Sequence, residues 1–336
     1  MLEKALPVFG LLALLAAGSR LQAQFPAAQI SNGKITAKLY LPDPDRGYYR
    51  ATRFDWSGVI SSLRTKNHEY FGQWFARYDP LLHDSIMGPV EEFLYNELPL
   101  GYGEDPTGNT FIKIGVGVLR KPAGETKFER FKTYEIVDPG KWTVHPGRDR
   151  IQFIHELQGP SGPVGGYAYL YTKTILLEKG KSVMRIEHAL KNTGAKPIRT
   201  AQYDHNFFVM DGQPSGPASS VKFPFALVPV HPFEGRLAEA RGREIVYLKE
   251  LVGDQYVFGE YKGFGNSAKD YSIRLENRAA GAGVHITGSR PITKLIYWSI
   301  RTTFCPEAYV DLDIAPGREA RWTYTYDFYD LPPETK

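Results

Sequence analysis

The chain has 336 residues, with 41 Lys and Arg against 37 Asp and Glu, a formal net charge of +4 and a single cysteine. Its basic residues are scattered among acidic ones, with no run of five like charges, so no nucleic-acid partner is expected. A lone cysteine excludes an intramolecular disulfide, so stability has to come from a packed core, and composition alone allows one large domain or two smaller ones.

In chain order, the apolar run Leu6 to Ala17 followed by Leu21-Gln22-Ala23 reads as a signal peptide of residues 1–23, cut after Ala23. The mature chain is then expected to begin at Gln24 and to be periplasmic or extracellular. Twelve apolar residues fall short of the about 20 needed to cross a bilayer, so no membrane association is expected after cleavage. Lys4, offset by Glu3, is a weak basic lead-in and leaves a retained anchor as the alternative. Residues 24–336 show no linker and no fixed-period repeat, which predicts one domain. The stretch Asn67 to Gly108 is the least strand-like and is expected as an irregular insert bordering a binding site.

Further along, Gly115 and Gly117 lack the third glycine of a dinucleotide loop at Arg120, and no helix pattern follows, which excludes nucleotide binding there. Apolar and polar residues alternate through Tyr167 to Leu177, Ser182 to Leu190 and Val284 to Thr287, while Leu295-Ile296-Tyr297-Trp298 predicts a strand buried on both faces. In the last strand Trp322, Tyr324, Tyr326 and Phe328 share one face, with Thr323, Thr325 and Asp327 on the other. Short turns such as Asn192-Thr193-Gly194 and Ala315-Pro316-Gly317 separate these runs. Period-two alternation dominates, so the predicted fold is all-β.

Two segments carry titratable groups at strand ends: Tyr203-Asp204-His205-Asn206-Phe207-Phe208 and Phe304-Cys305-Pro306-Glu307. Exchange of sugar anomers needs one group to protonate the ring oxygen and another to remove the proton of the anomeric hydroxyl, tasks that a histidine and a carboxylate suit near neutral pH. Taken singly, His205 equally fits a hydrogen-bonded strand-end histidine and Glu307 a surface carboxylate. His145, His155 and His188 lack a zinc-like spacing, and Cys305 lacks a nucleophile signature, so no metal or cofactor is expected.

The run Ile186-Glu187-His188-Ala189-Leu190-Lys191-Asn192-Thr193-Gly194-Ala195-Lys196-Pro197, leading into Asp204-His205-Asn206-Phe207-Phe208, resembles the aldose 1-epimerase (galactose mutarotase) superfamily. The C-terminal Phe304-Cys305-Pro306-Glu307, Leu312-Asp313-Ile314-Ala315-Pro316-Gly317 and the aromatic strand ending at Phe328 are similar as well. So is the strand around Trp142, which extends the resemblance over roughly Ile30 to Phe328. The resemblance implies a large antiparallel β-sandwich, with His205 as general acid, Glu307 as general base and a mono- or oligosaccharide as partner. The two side chains are expected about a sugar ring apart, too far for a direct hydrogen bond. The family's second histidine, in a His-Gly-Gly-type segment, has no counterpart here, since Phe111 to Tyr134 contains no His. The residues expected to bind the sugar are Lys113, Arg120, Tyr203, Asp204, Trp298 and Arg301; Lys113 and Arg120 also suit ordinary strand charges, and Trp298 a core position. Alternatives are a non-catalytic carbohydrate-binding protein and a lyase or hydrolase acting on oligosaccharide, because fold alone does not fix chemistry.

Overall fold

The computed structural model describes residues 25–104, 109–158, 165–231 and 236–332, so the predicted signal peptide lies outside the described residues. Every strand pairing among the described residues is antiparallel, and helix is confined there to short 3-10 turns such as Met210–Gly212 and Ala268–Asp270. No helix among them is long and apolar enough to cross a membrane.

Two small sheets lie at the N-terminal side of the chain. The first joins β1 (Ala27–Ser31), β2 (Thr36–Tyr40) and β3 (Val59–Arg64). The second joins β5 (Thr110–Lys113), β6 (Gly117–Arg120) and β7 (Ile136–Asp138). Gly115 and Gly117 thus sit in a β5–β6 hairpin rather than a loop opening a helix.

The largest sheet has ten strands in the order β15-β16-β13-β18-β19-β22-β11-β10-β9-β8. Its centre is built by β9 (Arg150–Gln158), β10 (Ala168–Leu177), β11 (Val183–Asn192), β19 (Ala282–Gly288) and β22 (Glu319–Asp330). One flank carries β13 (Ser219–Lys222), β15 (Ala238–Arg241), β16 (Glu244–Tyr247) and β18 (Ser272–Asn277), and β8 (Lys141–Pro146) forms the opposite edge. In β22 the predicted face is buried: Trp322, Tyr324, Tyr326 and Phe328 all point into the core.

A six-stranded sheet in the order β14-β17-β20-β21-β12-β4 packs against that face. Its strands are β4 (Gly88–Leu94), β12 (Ile198–Phe207), β14 (Val228–Pro229), β17 (Tyr256–Lys262), β20 (Lys294–Ile300) and β21 (Thr303–Ile314). The contact between the sheets is partly polar. Tyr324 donates to Gln202 Oε1 at 2.5 Å, and Tyr326 donates to Asp204 Oδ2 at 2.9 Å and Asn206 Oδ1 at 2.8 Å.

Strand β4 corrects the reading of the Asn67 to Gly108 insert. All seven of its residues are buried, including the adjacent acids Glu91 and Glu92. Two neighbouring carboxylates read as loop in sequence, yet each is neutralised by a cation from another element. Glu91 faces the ten-stranded sheet and accepts from Lys173 Nζ at 2.5 Å, with His188 Nε2 2.8 Å from its other oxygen. Glu92 faces the other way and meets Lys113 and Arg130. Burying a charge is tolerated only when it is paired and hydrogen-bonded.

Candidate functional site

Alternation in the six-stranded sheet sorts its side chains into two sets. On β12, Gln202, Asp204 and Asn206 turn inward to β22, which leaves Tyr203, His205 and Phe207 on the outer face. The register then builds rows across that face. Gln202 lies opposite Val310 and Phe208 opposite Phe304, and since both pairs share one register, His205 stands opposite Glu307. On the far side of β21, Glu307 pairs with Ile296, and Ile296 with Glu260. The row on one side runs Cys305, Trp298, Phe258; the row on the other runs Glu92, Tyr203, Tyr309, Lys294.

His205 Nε2 is 3.3 Å from Glu307 Oε1, and both side chains are almost wholly covered. The expected separation of a sugar ring is therefore wrong, and the register explains it: directly opposed residues on antiparallel strands have Cβ atoms only about 4.5–5.5 Å apart. Pro306 offers no N–H to the ladder beside this pair, and Asn206 Nδ2 instead donates to Pro306 O at 2.9 Å. The His205 ring is placed by packing. It stacks on Phe207 with centroids 4.0 Å apart, and Trp298 and Phe54 meet it edge-on at 5.4 and 5.7 Å. Its Nδ1 has no hydrogen-bond partner among the described residues.

Burial governs the protonation of the pair. It pushes the His205 imidazole well below its ordinary range, aided by Arg53, and pushes the Glu307 carboxyl up to about 7. At neutral pH, then, His205 is neutral and Glu307 is near half-protonated, so about half of the molecules hold one proton on the pair and the rest none, the proton-bearing share growing as pH falls below 7.

Beneath the pair lies a carboxylate hub. Glu92 accepts from Lys113 Nζ at 3.1 Å, from Arg130 Nη2 at 2.8 Å and from Tyr203 OH at 2.6 Å, with Arg53 Nε at 3.4 Å. Burial would raise the Glu92 carboxyl, but Arg130, Lys113 and Arg53 together hold it well below the usual carboxylate range. Above the hub, Asp84 accepts from Arg53 Nη1 at 2.6 Å and has His83 Nε2 at 2.9 Å, while Glu97 takes Arg130 and Lys294 at 3.2 and 3.0 Å.

Arg53, His83, Asp84, Glu97, Arg130 and Lys294 line a cleft of about 470 Å³ with His205 and Glu307 in its wall and Glu92 beneath it, within the roughly 300–1,000 Å³ of ordinary ligand sites. A more open groove of about 800 Å³ lies over β2 and β3, among Lys34, Lys38, Arg64 and Glu69. It contains no facing acid–base pair, so the smaller cleft is the candidate site.

Of the residues proposed from sequence, Trp298 lines the cleft beside His205 and Glu307. Tyr203 lies one layer below, held by Glu92 and Arg130, and Lys113 is sealed beneath it. Asp204 turns to the inter-sheet core, because it is one residue out of phase with His205. Arg120 pairs with Glu135 and Arg301 with Glu250, both at the exposed surface and outside the cleft lining. Trp142 stacks on His155 in β8, on the other sheet's edge. Sequence reasoning missed Arg53, His83, Glu92 and Arg130. No spacing points to them, since they come from separate loops and β4, although the insert that supplies His83, Asp84 and Glu97 was expected at the rim.

No family model matches the chain, and no curated protein does. Solved structures do. A galactose mutarotase related enzyme from Lactobacillus acidophilus is 13% identical, with 92% of this chain and 99% of that one covered and a TM-score of 0.55. A galactose mutarotase-like protein from Clostridium acetobutylicum is 12% identical over 91% and 95%, with a TM-score of 0.55. An aldose epimerase homologue from C. elegans is 12% identical over 91% and 99%, with a TM-score of 0.53. The chain has the galactose mutarotase-like fold.

Proposed function

We propose that the protein interconverts the anomers of a reducing sugar. The observation that carries this reading is the facing pair His205 and Glu307, 3.3 Å apart in the wall of a cleft lined with paired charges and aromatic faces, the carboxyl poised to hold or release a proton near pH 7. Anomerisation needs just such a pair. One member takes the proton of the anomeric hydroxyl as the C1–O5 bond breaks, and the other protonates the ring oxygen; after rotation about C1–C2 the closing step returns both protons. The two oxygens are attached to the same carbon, so cross-strand neighbours 3.3 Å apart can each reach one of them.

With His205 neutral and Glu307 protonated, opening begins with His205 as base and Glu307 as acid. The assignment implied by the family resemblance, His205 as acid and Glu307 as base, belongs to the other tautomer of the same singly protonated pair, and ring closure exchanges the roles in either case. Glu92 and Asp84 fix Arg53 and Arg130, whose remaining N–H groups can donate to sugar hydroxyls. His83, from the insert, supplies the second cleft histidine that Phe111 to Tyr134 lacks.

Polarimetry or NMR on freshly dissolved sugars tests the reading. His205→Ala and Glu307→Gln are each expected to cut turnover by about 10²-fold or more with the fold intact. A wild type that binds sugars but leaves the interconversion at the buffer rate would make this a binding protein instead.

A further inference from the structure

The cleft reaches beyond its acid–base pair. On β17, at the outer side of the six-stranded sheet, Tyr256 and Phe258 are 53% and 51% exposed and both line the cleft, as does Phe131 at 57%. Single exposed apolar residues need no explanation, but three half-bare aromatics in one polar cleft form a patch that does. The register places Phe258 beside Trp298, and Trp298 beside Cys305 on the strand of Glu307. From Glu307 to Glu260 on β17 is two strand spacings, roughly 10 Å across the sheet and more than the breadth of one pyranose ring, and Phe258 lies two residues further along that strand. Glu260 stands next to Phe258 on the same face, in the row of Glu307, and makes no side-chain hydrogen bond or ion pair among the described residues. An aromatic face with a carboxylate at its margin is what a second sugar unit takes, its C–H face on the ring and its hydroxyls on the acceptor.

We propose that Phe258, Tyr256 and Glu260 form a subsite for a second sugar unit, so that the preferred substrate is an oligosaccharide entering by its reducing end. The inference rests on the anomerase reading, which sets the reducing carbon at His205 and Glu307 and leaves the rest of the chain to run outward over β17.

Maltose, cellobiose and lactose all carry a reducing glucose, so each is assayed against glucose itself, with wild type, Phe258→Ala and Tyr256→Ala. At least one disaccharide is expected to exceed glucose in kcat/KM. Both variants should lose about three- to tenfold on that disaccharide, the worth of one stacking contact, and stay within about twofold on glucose. Glucose turned over as well as all three disaccharides, or variants that lose glucose and disaccharide alike, overturn the subsite and leave the anomerase reading standing. If the wild type turns over none of the four, the anomerase reading fails, and titration calorimetry with the same disaccharides decides the subsite alone: affinity lost in Phe258→Ala supports it, and no binding overturns it. Variants that change the oligomeric state instead of the kinetics would make the patch a contact between copies of the chain, which also overturns it.

Discussion

Replacing Lys173 by Met keeps the volume of the buried network between the sheets and removes its ammonium. In the native chain Lys173 Nζ meets Glu91 Oε2 at 2.5 Å and Ser57 O at 2.9 Å, and Asp204 lies directly across the strand pair from Glu91. Burial and the Glu91 charge push Asp204 up to about 7 and Asp55 up to about 6. For Glu91 itself burial is outweighed by Lys173 and His188, which hold it below the ordinary range. Without the ammonium, Glu91 must stay ionised with only the His188 hydrogen bond to hold it, at about 3–5 kcal/mol, or take a proton. Keeping a carboxyl of ordinary pKa near 4.3 protonated at pH 7 costs about 3.7 kcal/mol, so the loss at pH 7 is about 3–4 kcal/mol. At pH 5 the same protonation costs about 1 kcal/mol. The sign follows. Native Glu91, with its pKa depressed, contributes stability present above its unfolded pKa and lost as pH falls through the folded value. In the variant the folded pKa is raised, so the folded state binds the extra proton and its deficit shrinks on acidification. With about 2.1 cal/mol/K of unfolding entropy per residue over roughly 310 residues, Tm should drop by about 5 °C at pH 7 and by about 1–2 °C at pH 5. Melting curves followed by circular dichroism at both pH values measure this. The reasoning is refuted if the variant melts within a degree of wild type at pH 7, or if its deficit is larger at pH 5. Adding Glu91→Gln should recover part of the loss, giving a coupling energy in a double-mutant cycle.

The remaining expectations concern the cleft and the N-terminus. The proposed mechanism runs on the singly protonated pair, so kcat/KM should fall as pH rises through about 7, where Glu307 is lost as an acid, and Glu307→Gln should abolish that limb of the pH profile along with most of the activity. His83→Ala should raise KM several-fold while changing kcat far less than either member of the pair, because His83 stands at the rim beside Asp84; equal losses in both constants would contradict a binding role. Export with cleavage after Ala23 should give a mature N-terminus at Gln24, and N-terminal sequencing that returns Met1 from the exported protein would refute it.

Much of the architecture was legible because period-two alternation survives wherever one face of a strand is buried, as in β22, β10 and β11. It failed at β4. A strand buried on both faces has no alternation to show, and Gly88-Pro89-Val90-Glu91-Glu92 hides its nature further by using charge where apolar side chains are usual. The consequence for the site was direct. Glu92 sits in β4, so the hub that orders Arg53, Lys113, Arg130 and Tyr203 could not be read from local pattern. Lys113 and Tyr203 were singled out as sugar ligands when they are the supports of groups nearer the cleft. Asp204 was misplaced for the opposite reason: it adjoins His205 in sequence, and adjacency in a strand means opposite faces.

The same register logic explains why the expected spacing of His205 and Glu307 was wrong and why the correction strengthens the acid–base reading. Opposed on adjacent strands, they share one desolvated environment that disfavours charge on both, lowering the histidine and raising the carboxyl until the singly protonated pair is neutral overall. In the proposed reaction, a proton gained by one member from the anomeric hydroxyl is matched by a proton given by the other to the ring oxygen, so the pair would pass from one tautomer to the other without changing its net charge. The surroundings therefore need no rearrangement of charge as the ring opens, and Glu92, Asp84 and Glu97 can hold their cations fixed throughout.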